Sequence, residues 1–172
     1  ALARTLKLLA RHGADALYRG PLGSELVERV RQHPVHPGHL HTEDLARYTA
    51  VVRAALCHPT TWAGRSVRVC GMPPPSSGGL AVAQILGLLE RSTLFQTLSP
   101  ASLLSGAPDV LWTHLFTDAS RLAYADRAAF VADPAFVPPP GGDWRTLLAP
   151  DYLDQRSRLL PALPDTPSLH TA

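Results

Sequence analysis

Hydrophobic residues recur at helical spacing near the start of the chain. One face of a first helix is formed by Leu2, Leu6, Leu9 and Leu17. Gly13 is expected to end this helix, because glycine readily adopts the left-handed conformation found at helix ends. A second amphipathic stretch over residues 24–31 is closed by Pro34 and Pro37. The side chains that it turns inward are Leu26, Val27 and Val30.

A short helix and a β-hairpin are predicted next. Thr42 is expected to cap the helix, because its hydroxyl can accept a hydrogen bond from a free backbone N–H. The stretch 48–57, centred on the valine pair Val51-Val52, predicts a strand, and residues 66–72 predict its partner. The chain is expected to reverse between the two strands near Gly64.

The second half of the chain is predicted to be mainly helical. Helices are predicted over 77–91, 110–132 and 147–160, with a looser connection over 93–108 and a loop over 138–143. On the long helix, the residues spaced for burial are Leu111, Leu115, Ala119 and Leu122. Asp133-Pro134 is expected to end it. The fold class that follows is α+β, mostly helical with one β-hairpin.

A proline, serine and glycine run over residues 72–80 joins the hairpin to the next helix. The prolines keep the backbone extended, Ser76 or Ser77 can cap the helix, and Gly78 and Gly79 allow close backbone approach or a positive φ. A phosphate cradle is disfavoured, because neither a Walker lysine nor a G-x-G-x-x-G spacing accompanies the glycines. The run therefore predicts a rigid elbow between a strand and a helix.

Composition narrows the functional class. The 172 residues are 45% hydrophobic and 17% charged, which is typical of a globular chain. The net charge of +2 is too small for a nucleic-acid footprint, and no apolar run is long enough to span a bilayer. The chain opens inside a helical pattern without Met or a signal peptide, so we expect a fragment or a processed product.

The two cysteines, Cys57 and Cys70, can form one bridge at most, and their spacing fits no common metal motif. Free, partly buried thiols are the expectation, and whether the two residues pair is left open.

Four histidines crowd one loop, namely His33, His36, His39 and His41. They lack a helical i, i+4 pair, so a solvated loop is favoured over a metal site.

Other polar groups could in principle form a catalytic site. His114 and Asp118 lie at i, i+4, and Asp118 and Arg121 at i, i+3, which favours surface pairing on a helix. The sequence around Asp126, Arg127 and Asp133 predicts an arginine–carboxylate fork that fastens the helix end. Ser76 and Ser77 lack a local base or oxyanion hole, and Thr60-Thr61 is interpreted as part of a turn.

Five motifs in order resemble the γ-glutamyltranspeptidase (glutathione hydrolase) family. They are Gly13 to Gly20 (G-x-x-A-F-Y-x-G), Leu40 to Tyr48 (L-x-x-x-D-L-x-x-Y), Pro73 to Gly79 (P-P-P-S-S-G-G), His114 to Ala119 with Tyr124 to Arg127 (H-x-x-x-E-A and A-D-R), and Asp133 to Val137 (D-P-x-F-V). Leu17 stands where the family usually has Phe, and Asp118 where it has Glu. The motif from Pro73 to Gly79 is matched without change.

The resemblance implies an N-terminal-nucleophile hydrolase with a four-layer αββα sandwich. In this family an autocatalytic cut of the zymogen exposes a threonine that attacks the γ-glutamyl carbonyl, with its own amine as base. The resemblance implies that the substrate is glutathione or another γ-glutamyl compound. It implies that the partner is the small subunit of the same precursor, and it implies no cofactor. Periplasmic or secreted localisation is expected from the resemblance alone.

The resemblance covers the C-terminal part of the large subunit. It implies a partial large-subunit domain over residues 1–160 and a flexible tail over 161–172 that precedes the processing region. No Thr-Thr-His motif is present, so no catalytic, cofactor-binding or metal-binding residue is assigned to this chain, which is expected to be inactive alone. Two alternatives stay open: a cephalosporin-acylase-like amidase of the same fold, and a non-catalytic helical binding or scaffold module.

Overall fold

The structure, a computed structural model, describes residues 2–62, 64–98 and 110–161. Contacts within the chain divide it into two units, one up to Val52 and one from Arg53 onward. Most of the predicted tail over 161–172 and much of the connection over 93–108 lie outside the described residues. The predicted boundary after residue 160 therefore stays a prediction.

The first unit is built from four helices in the described part of the chain. They are α1 (Leu2–His12), α2 (Asp15–Tyr18), α3 (Pro21–Arg31) and α4 (Thr42–Arg47). Gly13 follows α1 with φ of 59°, which confirms it as the stop. Pro21 occupies the first turn of α3, where its missing N–H costs no hydrogen bond. Ala16 of α2 and Val27 of α3 are buried at the centre of this unit.

Of these four helices, α1, α3 and α4 were predicted and α2 was not. Val27 is buried as predicted, but the other residues expected to face inward are not fully buried. No residue of α1 is buried, and the leucines expected to face inward are exposed: Leu2, Leu6, Leu9 and, on α3, Leu26. A helical period identifies an apolar face, but burial needs another element to cover that face. Thr42 is not the cap of α4 either. The helix is preceded by His41, whose N–H donates to the Asp44 carboxylate at 2.9 Å.

The second unit begins with an antiparallel hairpin of β1 (Leu56–Trp62) and β2 (Arg65–Gly71). The second strand and the reversal, where Gly64 has φ of 73°, were predicted correctly. The first strand begins at Leu56 instead of residue 48, and Val52 is 99% exposed. A β-branched run forms a strand only where a neighbour accepts its backbone hydrogen bonds, and this run has none in the sheet.

Cys57 and Cys70 form a disulfide, so the expectation of free thiols was wrong. The register of the hairpin places the two residues directly opposite each other. Cross-strand neighbours have side chains on the same face and close together. The 13-residue separation contains no sign of this, because only the register brings the sulfurs together.

In the part of the chain that the structure describes, helices are the main elements of the rest of the second unit. They are α5 (Gly78–Arg91), α6 (Thr93–Thr97), α7 (Val110–Phe130) and α8 (Pro150–Ser157), with short 3₁₀ helices at Pro140–Gly142 and Trp144–Leu148. The predictions of α5 and α7 are confirmed. The predicted helix over 147–160 is instead split, because Pro150 lacks an N–H and can only begin a new helix there.

Helix α5 is the centre of the second unit. It is apolar nearly all round and contacts β1, α7 and α8, which is typical of a fully surrounded helix. Ala119 and Ala123 of α7 have no exposed surface, and their small side chains allow α7 to approach α5 closely. Leu115 is buried and Leu122 partly buried as predicted, whereas Leu111 is half exposed.

The elbow between the hairpin and α5 is a close backbone contact. A Cβ atom on Gly71 would lie 2.7 Å from the Cα of Gly79, so the end of β2 touches the start of α5. Close approach, rather than a positive φ, is therefore what Gly79 provides. The Pro74–Pro75 peptide is cis. Ser77 stands at the N-cap, but its hydroxyl caps no backbone N–H, so that prediction was wrong.

Candidate functional site

A buried polar cluster surrounds Asp126 on α7. This residue is only 5% exposed, and its carboxylate forms one ion pair and two hydrogen bonds with other side chains. Arg156 of α8 forms the ion pair with Oδ1 at 2.8 Å, while the Tyr152 hydroxyl at 2.8 Å and the Gln84 amide at 2.9 Å donate hydrogen bonds to Oδ2. The cluster therefore fastens α5, α7 and α8 to one carboxylate.

Two backbone carbonyls extend this cluster. The Gln84 amide also donates to the carbonyl of Leu147 at 3.2 Å, and Arg156 donates to that of Leu122 at 3.3 Å. Leu147 belongs to the last turn of a 3₁₀ helix, where carbonyls lack a partner within the helix, whereas Leu122 lies inside α7. The cluster thus fixes the 3₁₀ segment as well as the three helices.

The chemistry available to the Asp126 cluster is limited. Burial, followed by the hydrogen bond and the charge of Asp126, raises the pKa of Tyr152 to about 12, while the Arg156 charge acts in the opposite direction. A phenol with this pKa stays protonated near neutral pH and cannot serve as a general base. Since both oxygens of Asp126 are occupied by groups of the fold, the cluster positions helices rather than reacting groups.

The predicted fork at the end of α7 involves other partners. Asp126 pairs with Arg156 instead of Arg127, and Asp133 lies 3.8 Å from Arg53. Neighbouring residues on a helix point in different directions, so Asp126 faces the core while Arg127 is exposed. The prediction of a fork formed by Asp126, Arg127 and Asp133 was therefore wrong, because the arginine that pairs with Asp126 comes from α8, which sequence proximity could not indicate.

Arg127 instead reaches the elbow. Its Nε donates to the Ser77 hydroxyl at 2.8 Å, and its guanidinium carbon lies 5.7 Å from the centre of the Tyr124 ring. A guanidinium stays charged and cannot accept the proton of a serine hydroxyl. Ser77 therefore has a structural partner rather than a catalytic base.

The hairpin contacts α5 through the carboxylate of Glu90. The Thr60 hydroxyl and the Thr61 N–H both donate to Glu90 Oε1, the latter at 3.0 Å. Both threonines lie inside β1, so the interpretation of this pair as a turn was wrong. His58, two residues before Thr60 and on the same face of β1, is 8% exposed. Burial lowers the pKa of His58, with Glu90 opposing that shift and Arg91 adding to it.

The histidine loop makes local contacts. His33 Nδ1 accepts the backbone N–H of His36 at 3.0 Å, and the two imidazoles stack with centroids 6.4 Å apart. His41 Nδ1 lies 3.2 Å from an Arg31 nitrogen. Within the described ranges, no three His, Cys, Asp or Glu side chains are grouped so that they could hold a metal ion.

The predicted helical pairs on α7 are confirmed. His114 Nε2 lies 3.3 Å from Asp118, and Arg121 lies 3.6 Å from the same carboxylate. His114 and Arg121 are largely exposed, which is typical of surface pairing. None of the described helices is both long and apolar enough to cross a membrane.

In the first unit, two of the motifs meet. Tyr18 of the first motif stacks on Tyr48 of the second, with ring centroids 5.4 Å apart and planes inclined by 14°. A cleft of about 380 Å³ opens beside α4, lined by Tyr18, Arg19, Gly20, Gly23, Ser24, Thr42, Glu43, Leu45 and Ala46. The tyrosine pair thus joins α2 to the end of α4.

Sequence reasoning did not identify several of these polar residues. The residues not singled out are Gln84, Tyr152, Arg156, His58 and Glu90, although a glutamine in an apolar helix such as α5 is a detectable signal. The others come from separate elements and carry no motif that links them.

Comparison with known proteins gives a consistent result. The sequence profile of the family described as Gamma-glutamyltranspeptidase matches residues 1–169. Over 158 residues the chain is 37% identical to the acylase ACY 1 proenzyme of Pseudomonas sp. (strain SE83), covering 92% of this chain and 25% of that protein. Over 151 residues it is 32% identical to the glutathione hydrolase proenzyme of Escherichia coli K12, covering 88% of this chain and 23% of that protein.

Solved structures of similar fold carry the same family name. Gamma-glutamyltranspeptidase from Pseudomonas nitroreducens, complexed with L-DON, has a TM-score of 0.66 at 28% identity and covers 93% of this chain and 43% of its own. Gamma-glutamyltranspeptidase from Helicobacter pylori has a TM-score of 0.64 at 27% identity, and the match covers 99% of this chain and 44% of that chain. The chain spans about a quarter of the curated relatives. With the profile matched along nearly its whole length, the chain belongs to the γ-glutamyltranspeptidase family.

Proposed function

We propose that this chain is the C-terminal part of the large subunit of an autoprocessing γ-glutamyltranspeptidase-like enzyme. The enzyme hydrolyses glutathione or transfers its γ-glutamyl group to an acceptor amine. The observation that carries the proposal is the family match over residues 1–169, together with glutathione hydrolase proenzymes among the relatives. The name proenzyme on these relatives supports processing into two subunits.

In the proposed mechanism the reacting groups lie on the partner small subunit. The threonine hydroxyl attacks the γ-glutamyl carbonyl, its proton passes to the threonine's own amine, and the departing amine of the substrate takes up a proton. Water or an acceptor amine then cleaves the acyl-enzyme ester. The described residues supply the frame for this site, in which the Asp126 cluster holds α5, α7 and α8 within a four-layer sandwich.

The cross-strand disulfide supports a location outside the cytoplasm. Disulfides persist in oxidising compartments such as the periplasm and the extracellular space. Cys57 and Cys70 form such a bond in the hairpin. We therefore propose a periplasmic or secreted enzyme, which cell fractionation followed by immunodetection of the chain would test.

Expression of the complete coding region tests the activity. We expect the purified precursor to split into two chains and to release the dye from a γ-glutamyl anilide. Replacement of the threonine at the new N-terminus by alanine should abolish both events. A precursor that never splits, or a coding region without that threonine, would contradict the proposal and favour a non-catalytic helical scaffold.

A second candidate is an amidase that accepts another acyl group. The observation that favours it is the higher identity to the acylase ACY 1 proenzyme, 37% against 32% for the Escherichia coli glutathione hydrolase. Parallel assays with a γ-glutamyl anilide and a glutaryl amide distinguish the two. Faster turnover of the glutaryl amide would assign the enzyme to the acylase type.

A further inference from the structure

His58 lies where three elements of the second unit meet. It projects from β1 toward Gly87 of α5, and a Cβ atom on Gly87 would lie 3.4 Å from His58 Nε2 and 2.7 Å from a methyl group of Leu153 on α8. The imidazole therefore packs against α5 at Gly87. A methyl group at position 87 would touch the ring at van der Waals distance and would require the Leu153 side chain to move.

The His58 ring is packed as a neutral group. Its Nε2 is buried and has no hydrogen-bond partner among the described residues. A buried nitrogen without a partner is tolerated far better in a neutral ring than in an imidazolium, whose second N–H also needs an acceptor. The site therefore favours the uncharged form of the side chain.

The charged groups around His58 are already engaged. On α5, Glu90 accepts hydrogen bonds from Thr60 and Thr61, while Arg91 pairs with Asp154 of α8. From β2, the residue opposite His58 is the apolar Val69. Glu90 is thus the one carboxylate that acts on the ring, and it does so without a hydrogen bond to it.

We propose that His58 makes the attachment of the hairpin to α5 sensitive to acid, because protonation of the ring ejects it from its site beside Gly87. The disulfide ties β1 to β2 next to this histidine, so both strands leave α5 together. The contacts of Glu90 with Thr60 and Thr61, together with the packing of Leu56 in one core cluster with Leu80, then oppose the detachment of β1 from α5. The inference is independent of the proposed enzymatic activity.

The direction of the pH effect follows from linkage. Burial lowers the pKa of His58 below its ordinary value of 6.5, so the attached hairpin binds a proton less readily than the detached one. Attachment is therefore fully stabilised above the ordinary value, and this stabilisation is lost as pH falls toward the lowered pKa. Each unit between the two values corresponds to a roughly tenfold change in the detachment equilibrium.

Amide hydrogen exchange in the full-length protein tests the proposal. After correction for the intrinsic exchange rate, we expect peptides that cover 56–62 and 78–91 to lose protection between about pH 8 and about pH 5. His58→Phe should remove this loss, and His114→Phe, which alters an exposed imidazole of the same unit, should retain it. Equal loss of protection in wild type and His58→Phe, or none in wild type, would overturn the proposal.

A second measurement needs only the wild-type protein and no variant. Deuterium exchange at the imidazole carbon reports the pKa of each histidine in the wild-type protein. We expect the slow-exchanging His58 to titrate below the ordinary histidine value of 6.5. A pKa at or above the ordinary value for His58 would overturn the proposal even if His58→Phe failed to fold.

Discussion

The Nε of Arg127 donates a hydrogen bond to the hydroxyl of Ser77 across 2.8 Å. Ser77 belongs to the Pro73–Gly79 motif and Arg127 to the Tyr124–Arg127 motif, which are 50 residues apart. Two of the motifs that characterise the family thus meet at the start of α5. Their contact fixes the elbow against the long helix and explains both residues without a catalytic role.

This contact should be visible as a coupling energy. We expect Ser77→Ala and Arg127→Ala each to lower the free energy of unfolding, and the double variant to lower it by less than their sum. We expect a coupling energy of about 1 kcal/mol, because the hydrogen bond has a charged donor but is partly exposed. Urea unfolding of the four proteins measures it. Additive effects would mean that the bond does not contribute.

Removal of the Asp126 charge should be far more damaging. Asp126→Asn leaves Arg156 without an anionic partner in a buried position, for which a loss of about 3 kcal/mol is expected. Asp15→Asn is the matched control, because its pair with Arg19 is mostly exposed and should contribute less than about 1 kcal/mol. Urea unfolding midpoints give the comparison. Equal losses in both variants would contradict a role for the buried cluster.

Tyr152 should make the protein sensitive to alkali. The pKa of Tyr152 is raised to about 12 in the folded protein, above its ordinary value of 10. The stabilisation is therefore present below pH 10 and is lost as pH rises through about 12. A titration of phenolate absorbance should show one late tyrosine that Tyr152→Phe removes. Tyr124→Phe, an exposed control, should leave that late component in place.

Two glycines of α5 should respond oppositely to the same substitution. Gly87→Ala places a methyl group 2.7 Å from Leu153, so we expect a loss of about 1–3 kcal/mol despite the better helix propensity of alanine. Gly78→Ala meets no atom within 4 Å and should be neutral or stabilising. Thermal unfolding of both variants measures the difference. A stabilising Gly87→Ala would show that the Leu153 side chain moves aside at little cost.

The disulfide should contribute to the stability of the hairpin. In the chain-entropy account, a cross-link that closes a loop of this length stabilises by about 3 kcal/mol. We expect Cys57→Ser/Cys70→Ser to unfold at a lower temperature than the oxidised wild type and to match the reduced wild type. Mass analysis of a non-reduced digest should recover the two cysteines in one linked peptide. Separate peptides would contradict the pairing.

The sequence by itself determined the two long helices of the second unit and indicated the family. The apolar periods over α5 and α7 are strong enough to specify both helices, because burial on a long helix requires regular spacing. The Gly13 stop and the second strand were equally readable from local chemistry. Five motifs in order were sufficient to indicate the family that the comparisons then established.

Only the tertiary structure decided which residues meet. The partner of Asp126 lies on α8, that of Arg127 at the elbow, and that of Cys57 across the hairpin. The strand predicted around Val51-Val52 did not form, because pairing depends on a neighbour and not on β-branched side chains alone. Side-chain partners are set by register and by the packing of separate elements. A single element's pattern can show which face is apolar, but not what that face contacts.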